Sequence, residues 1–405
     1  MKPKVTGGLL FGLALVLTLT ISARPDGRDL DDEHNAKAPL EAVGVIGIPG
    51  NPLLSTDIAW VDPGTERLYF ADRSNAGVDI IDAENDVFVN RVLGFAGANG
   101  PHDTGPGGVL VTPGRKLWAG DGNATVQVAD VDPASPDYLK IIKHVDVSTD
   151  ACRPNCNRAD ELGFDPKHHK ILAAIDRPNS ASDATVPIAP YAALIDADTY
   201  GVKFVTIPNI VPGGGLEQPL WDGELGRFFL TVPSVSTNGG NGEIAVINPT
   251  TGVVENTYSP GACAPSGEVL APFQCLVVEC STDTTNSIVF LNALTGKIIS
   301  MIPNVPADEL WFNPGDDLVY AANNTTNVLN VIDPETRALI QSVPDVGGRN
   351  QAAFAENNHV FTPVRTSAAF VKTPSSDNTQ CSKFGFKGTG CVAVFTHAEA
   401  EGRER

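Results

Sequence analysis

The sequence predicts an all-β chain folded as a single seven-bladed β-propeller of four-stranded antiparallel blades, closed by an N-terminal strand that completes the last blade. Three observations predict it: a strand–turn–strand unit that recurs, an acidic pair that returns at one place in that unit, and a surplus strand at one end of the chain matched by a deficit at the other. The units align on the residue pair that opens each apolar strand: Asp57-Ile58, Gly107-Gly108, Asp160-Glu161, Glu217-Gln218, Ser266-Gly267, Asp308-Glu309 and Asn350-Gln351. They recur every 42 to 57 residues, the period of a four-stranded blade. A pair of β-sandwiches would not need one acidic position in register across units.

Taken in order, residues 1–23 read as an export signal. Lys2 and Lys4 precede an apolar run over 5–21, and the small pair Ser22-Ala23 offers a cleavage site. Residues 24–40 form a polar leader expected to be disordered, 41–397 the propeller, and 398–405 a polar tail. Each unit opens with a short apolar strand, as over 58–61 or 162–164, and most then turn through Asp, Asn, Pro or Gly, as in Asp62-Pro63-Gly64 and Asn313-Pro314-Gly315. Second strands follow, such as Arg67-Leu68-Tyr69-Phe70-Ala71 and Leu318-Val319-Tyr320-Ala321-Ala322. Third strands end in turn residues, as in Val328-Leu329-Asn330-Val331-Ile332-Asp333-Pro334. The last unit has strands over 351–355, 359–364 and 391–395 and lacks a fourth. The strand over 42–48 supplies it and leaves the ring without a free edge.

The formal net charge of −20 excludes nucleic acid and anionic membrane as partners, because the phosphate term would be repulsive. It fits a secreted or periplasmic protein, with no membrane attachment after signal cleavage and a monomeric state. Seven cysteines in an exported chain call for disulfides with one left over. Cys152 and Cys156 would brace the loop before Asp160. Cys381 and Cys391 would close the insertion in the last blade. Cys263 and Cys280 emerge on one face and pair, leaving Cys275 free and buried.

In a propeller the first strands line the central channel, so their opening residues ring one mouth. That ring holds Asp57, Asp160, Glu161, Glu217, Asp308 and Glu309, with Gln218, Asn350 and Gln351 as neutral oxygen donors. Carboxylates this close raise one another's pKa unless a cation or an arginine neutralises them. Hard oxygen ligands without thiolate or imidazole suit one Ca²⁺ or Mg²⁺ in the channel, with Asp57, Glu161, Glu217 and Glu309 as its ligands. Asp57, Asp160 and Asp308 share one register and equally suit the bracing of neighbouring backbone. His102, in the loop entering blade 2, is the candidate general base beside Glu161. Arg158 and Arg349, with Arg73 and Arg177 at the same mouth, either pair with the acids or bind an anionic substrate.

The strand–turn–strand signature resembles the YVTN and NHL-type propellers. The segment Glu217-Gln218-Pro219-Leu220-Trp221-Asp222 is similar to the Glu-Gly-Pro-x-Trp element of the gluconolactonase family, in which the Glu is a ligand of the central divalent cation; the resemblance implies that role for Glu217. The chain departs from that family in carrying Gln218 for Gly, and in having seven units where gluconolactonases and paraoxonases have six. The seven-bladed virginiamycin B lyases, with a metal and a histidine base on the top face, are also similar. Phosphate-binding loops, nucleophile elbows and haem-attachment motifs are missing. The expectation is a metal-dependent lactone or ester hydrolase acting on a small molecule, with lyase or isomerase chemistry on the same site. The alternative is a binding propeller for a protein, glycan or small ligand, with a structural metal.

Overall fold

The computed structural model describes residues 38–98, 104–153, 156–175, 188–212, 214–282, 285–344 and 347–397. The export signal, almost all of the leader and the polar tail therefore lie outside the described residues. Seven four-stranded antiparallel sheets follow one another along the chain. The first strands of blades 1 to 7 are Thr56–Asp62, Val109–Thr112, Leu162–Asp165, Pro219–Asp222, Ala264–Ala271, Leu310–Asn313 and Ala352–Phe354. Closure is as expected: strand Leu40–Ile46 pairs with Cys391–His397, from Leu40 opposite His397 to Ile46 opposite Val392. It begins two residues earlier than the sequence reading placed it, so the leader ends before Leu40.

The core is divided by the blades. Seven clusters of buried apolar side chains are found, each filling the gap between two neighbouring blades. The second strands explain their near-continuous apolar sequences. In Arg67–Asp72, Leu68 and Phe70 pack toward blade 7 while Tyr69 and Ala71 pack toward blade 2; with both faces covered, no polar alternation remains. The outer strands have one wet face, and Val87–Leu93 is largely exposed. Turns after the first strands are set by side-chain acceptors: Asp165 Oδ1 takes the Lys167 N–H at 2.8 Å and Asp222 Oδ1 the Glu224 N–H at 2.8 Å.

All three disulfides anticipated from the sequence are present, Cys152–Cys156, Cys263–Cys280 and Cys381–Cys391. Cys275 is free and buried. The insertion that Cys381–Cys391 closes carries two short helices, Ala368–Lys372 and Gln380–Lys383. No helix among the described residues is long and apolar enough to cross a membrane.

Candidate metal centre and its arginine rim

Glu161 and Glu309 immediately precede the first strands of blades 3 and 6, Glu217 stands two residues before that of blade 4, and one carboxylate oxygen from each lies within 4.8 Å of the others. Two glycines make the approach possible. At Gly108 a Cβ would stand 2.5 Å from Glu161 Cα, and at Gly267 one would stand 2.8 Å from Glu309 Cα. At both positions the glycine N–H donates across the blade gap, to Asp160 O at 2.9 Å and to Asp308 O at 3.0 Å. Neighbouring glutamates are thus drawn inward by backbone bonds that only a residue without Cβ permits.

Electrostatics disfavours the charged form of two of these acids, Glu161 and Glu309. Burial, then the charge of Glu309 and a hydrogen bond to it, hold Glu161 well above the usual carboxyl range, with Glu217 and Asp160 adding to the effect. Burial and Asp308 push Glu309 up to about 8, against the hydrogen bond from Glu161 and the charge of Arg349. Glu309 Oε2 is buried with no hydrogen-bond partner. Such a set fits a hard divalent cation. The donors are all carboxylate oxygens, and calcium bonds of about 2.3–2.6 Å reach across an oxygen spread of about 5 Å.

Asp57, expected as a fourth ligand, is taken elsewhere. Its carboxylate is ion-paired with Arg73, whose Nε donates to Pro106 O at 2.9 Å. Asp160 meets Arg158 at 2.5 Å and Arg73 at 3.7 Å. Asp308 holds Arg349 through two N–H donors, one of them from Nη2 at 2.9 Å. Burial raises the Asp57 pKa despite Arg73. At Asp160 burial works the same way, but the guanidinium of Arg158, then those of Arg73 and Arg349, hold it below the usual range. The shared aspartate register therefore braces arginine side chains rather than the backbone N–H groups expected from sequence. Arg158 and Arg349, candidates for substrate binding, are first of all partners of these aspartates.

The neutral donors divide. Gln218 Oε1 accepts the Glu268 N–H at 2.6 Å, and Gln351 ties Ala322 N, Glu309 O and Tyr320 O within 2.9 Å, so both join blades. Asn350 donates to Asp308 at 3.5 Å, while its Oδ1 is buried without a partner. His102 and Arg177 lie outside the described residues.

Two acids escaped the sequence reading. Glu268 is fully buried, neither of its oxygens has a partner, and burial followed by the charge of Glu309 lifts its pKa well above the usual range. Glu279, 2% exposed, is pushed up to about 8, chiefly by burial. Each stands as a lone carboxylate inside an apolar strand, Ala264–Ala271 and Cys275–Ser281, and that pattern was the available signal. Arg365 was also missed; it follows the second strand of blade 7 as Arg73 follows that of blade 1.

No protein-family model matches the chain, and no curated protein matches it. Among solved structures it is similar to the Cps50 (Swd1) β-propeller domain of Myceliophteria thermophila, with TM-score 0.61 and 10% identity over 89% of this chain and 100% of that one. It is also similar to the hydrazine synthase of Kuenenia stuttgartiensis, with TM-score 0.59 and 12% identity over 78% of this chain and 93% of that one. At such identities the likeness carries architecture and no chemistry, and what it establishes for this chain is the β-propeller fold.

Proposed function

We propose that this chain is an exported propeller enzyme that binds one Ca²⁺ or Mg²⁺ on Glu161, Glu217 and Glu309 and hydrolyses a lactone or ester at the mouth of its channel. The observation that carries the reading is the convergence of three carboxylates within 4.8 Å, with Glu161 and Glu309 each only 5% exposed. Burying like charges together is costly, and a divalent cation offsets that cost. Bound there, such an ion polarises a carbonyl oxygen and lowers the pKa of water. The chain's own groups would do the rest. Glu161 or His102 would move a proton, while Arg158 and Arg349, fixed by Asp160 and Asp308, would orient an anionic substrate. The likeness of the Glu217 segment to the gluconolactonase element supports the same site. Three disulfides are compatible with an oxidising compartment.

The test is metal content of the purified protein by mass spectrometry, wild type against Glu217→Gln, followed by a lactone and ester screen. About one equivalent of Ca²⁺ or Mg²⁺ that is lost in the variant, together with turnover, supports the proposal. Metal without turnover favours the binding propeller with a structural ion, and a metal-free wild type removes the cation altogether.

A further inference from the structure

At the channel rim three arginines each meet an aspartate: Arg73 with Asp57, Arg158 with Asp160, Arg349 with Asp308. A fourth, Arg365, makes no hydrogen bond or ion pair among the described residues. Its isolation follows from the repeat. Arg365 comes directly after strand His359–Val364, as Arg73 comes directly after strand Arg67–Asp72. Arg73 is answered by Asp57 at the start of its own blade, whereas blade 7 carries Asn350 in that place, a neutral residue turned to Asp308. The side chain of Arg365 is half-buried. Burial, then Arg349, with Arg73 behind it, disfavours its charge and lowers its pKa, and Asp57 and Asp308 offset this only in part. A guanidinium remains charged under these conditions all the same.

Beside it a cavity of about 270 Å³ opens, lined by Asn324, Asn327, Arg365, Thr366 and Ser367 among others. The guanidinium-bearing side chain of Arg365, two asparagines and a serine thus border one small space. The volume is at the low end for ligand sites, which selects a small molecule over a macromolecule. Blade 1 satisfies the same arginine position with a carboxylate, and a planar carboxylate matches a guanidinium through two parallel bonds. A chain of net charge −20 repels polyanions.

We propose that this cavity binds a small monocarboxylate, with Arg365 as its bidentate partner. The site does not require the proposed cation. Calorimetric titration of the full chain is therefore done in EDTA at fixed ionic strength, with acetate, lactate, benzoate and, separately, inorganic sulfate as probes. At least one monocarboxylate binds at one per chain, and Arg365→Gln lowers its affinity about tenfold to a hundredfold, as for loss of a hydrogen bond to a charged group. Arg365→Lys, which keeps the charge and loses the fork of paired donors, lowers it about threefold to tenfold. The proposal is overturned if none of the carboxylates binds, if sulfate binds more tightly than all of them, or if either variant, once folded, binds as wild type does. Should Arg365→Gln not fold, the Arg365→Lys result decides.

Discussion

Replacing Glu279 with glutamine should remove a pH-dependent penalty from the fold. Glu279 sits in strand Cys275–Ser281, where Ser266 Oγ donates to its Oε2 at 2.6 Å and its Oε1 has no partner. Burial raises its pKa, the Ser266 bond opposes the rise and Asp308 adds to it, and the result is about 8 against an ordinary 4.5. An acid whose folded pKa is raised keeps its proton in the native state. Its contribution to stability is fully present below pH 4.5 and is lost as the pH climbs through about 8. The full loss amounts to about 5 kcal/mol at ~1.4 kcal/mol per pH unit, of which about 3 kcal/mol is gone by pH 7. Glutamine retains the acceptor for Ser266 and does not titrate. Urea unfolding in EDTA between pH 4.5 and 8.5 should therefore show wild type losing stability relative to Glu279→Gln by about these amounts, with any constant offset reporting packing alone. Parallel pH profiles for the two proteins would refute the reasoning.

Three further outcomes follow from the same structure. Arg73→Met strands the buried Asp57 beside Asp160 and should cost about 3–5 kcal/mol in urea unfolding near neutral pH, whereas Arg115→Met at an exposed pair with Asp132 should cost at most about 1 kcal/mol. Gly108→Ala drives a methyl group into Glu161 Cα and Asp160 O; it should cost about 1–3 kcal/mol of stability, read in urea unfolding, and weaken the proposed cation binding, as Gly267→Ala should beside Glu309. The double variant Cys263→Ala/Cys280→Ala opens a loop of sequence separation 17 and should lose about 3 kcal/mol, measured under non-reducing conditions against wild type.

The blade repeat was legible because two-sided burial erases polar alternation and leaves apolar runs with turn residues at fixed spacing. Its closure was legible from a simple mismatch of strands at the two ends. The site was legible in part. Glu161, Glu217 and Glu309 could be picked out because their charges open channel strands. Asp57 looked equivalent to them, and only the placement of Arg73, which follows a different strand of the same blade, shows that its charge is already answered. Glu268 and Glu279 were passed over because they interrupt apolar strands after their openings, outside the position being compared across blades. Arg365 would have required setting second-strand ends side by side, and recognising that Asn350 withholds the carboxylate Asp57 provides in blade 1.

Closure of the ring by strand Leu40–Ile46 also sets an order of events in assembly. Leu40 completes the cluster between blades 6 and 7, and Ile46 the cluster between blades 7 and 1. Both wait for strand Cys391–His397, so the segment synthesised first among the described strands is the one docked last. Six blades can stack as they emerge, but the circle has a seam until the final strand arrives, and over that interval an apolar strand is open to pairing with another chain. Once docked, Ala38 O lies 2.6 Å from His397 Nδ1. The two edges of the seam are then neighbours in space, and a short peptide joining residues 38 and 397, with new ends cut between two other blades, would move the seam elsewhere on the ring without altering a single blade.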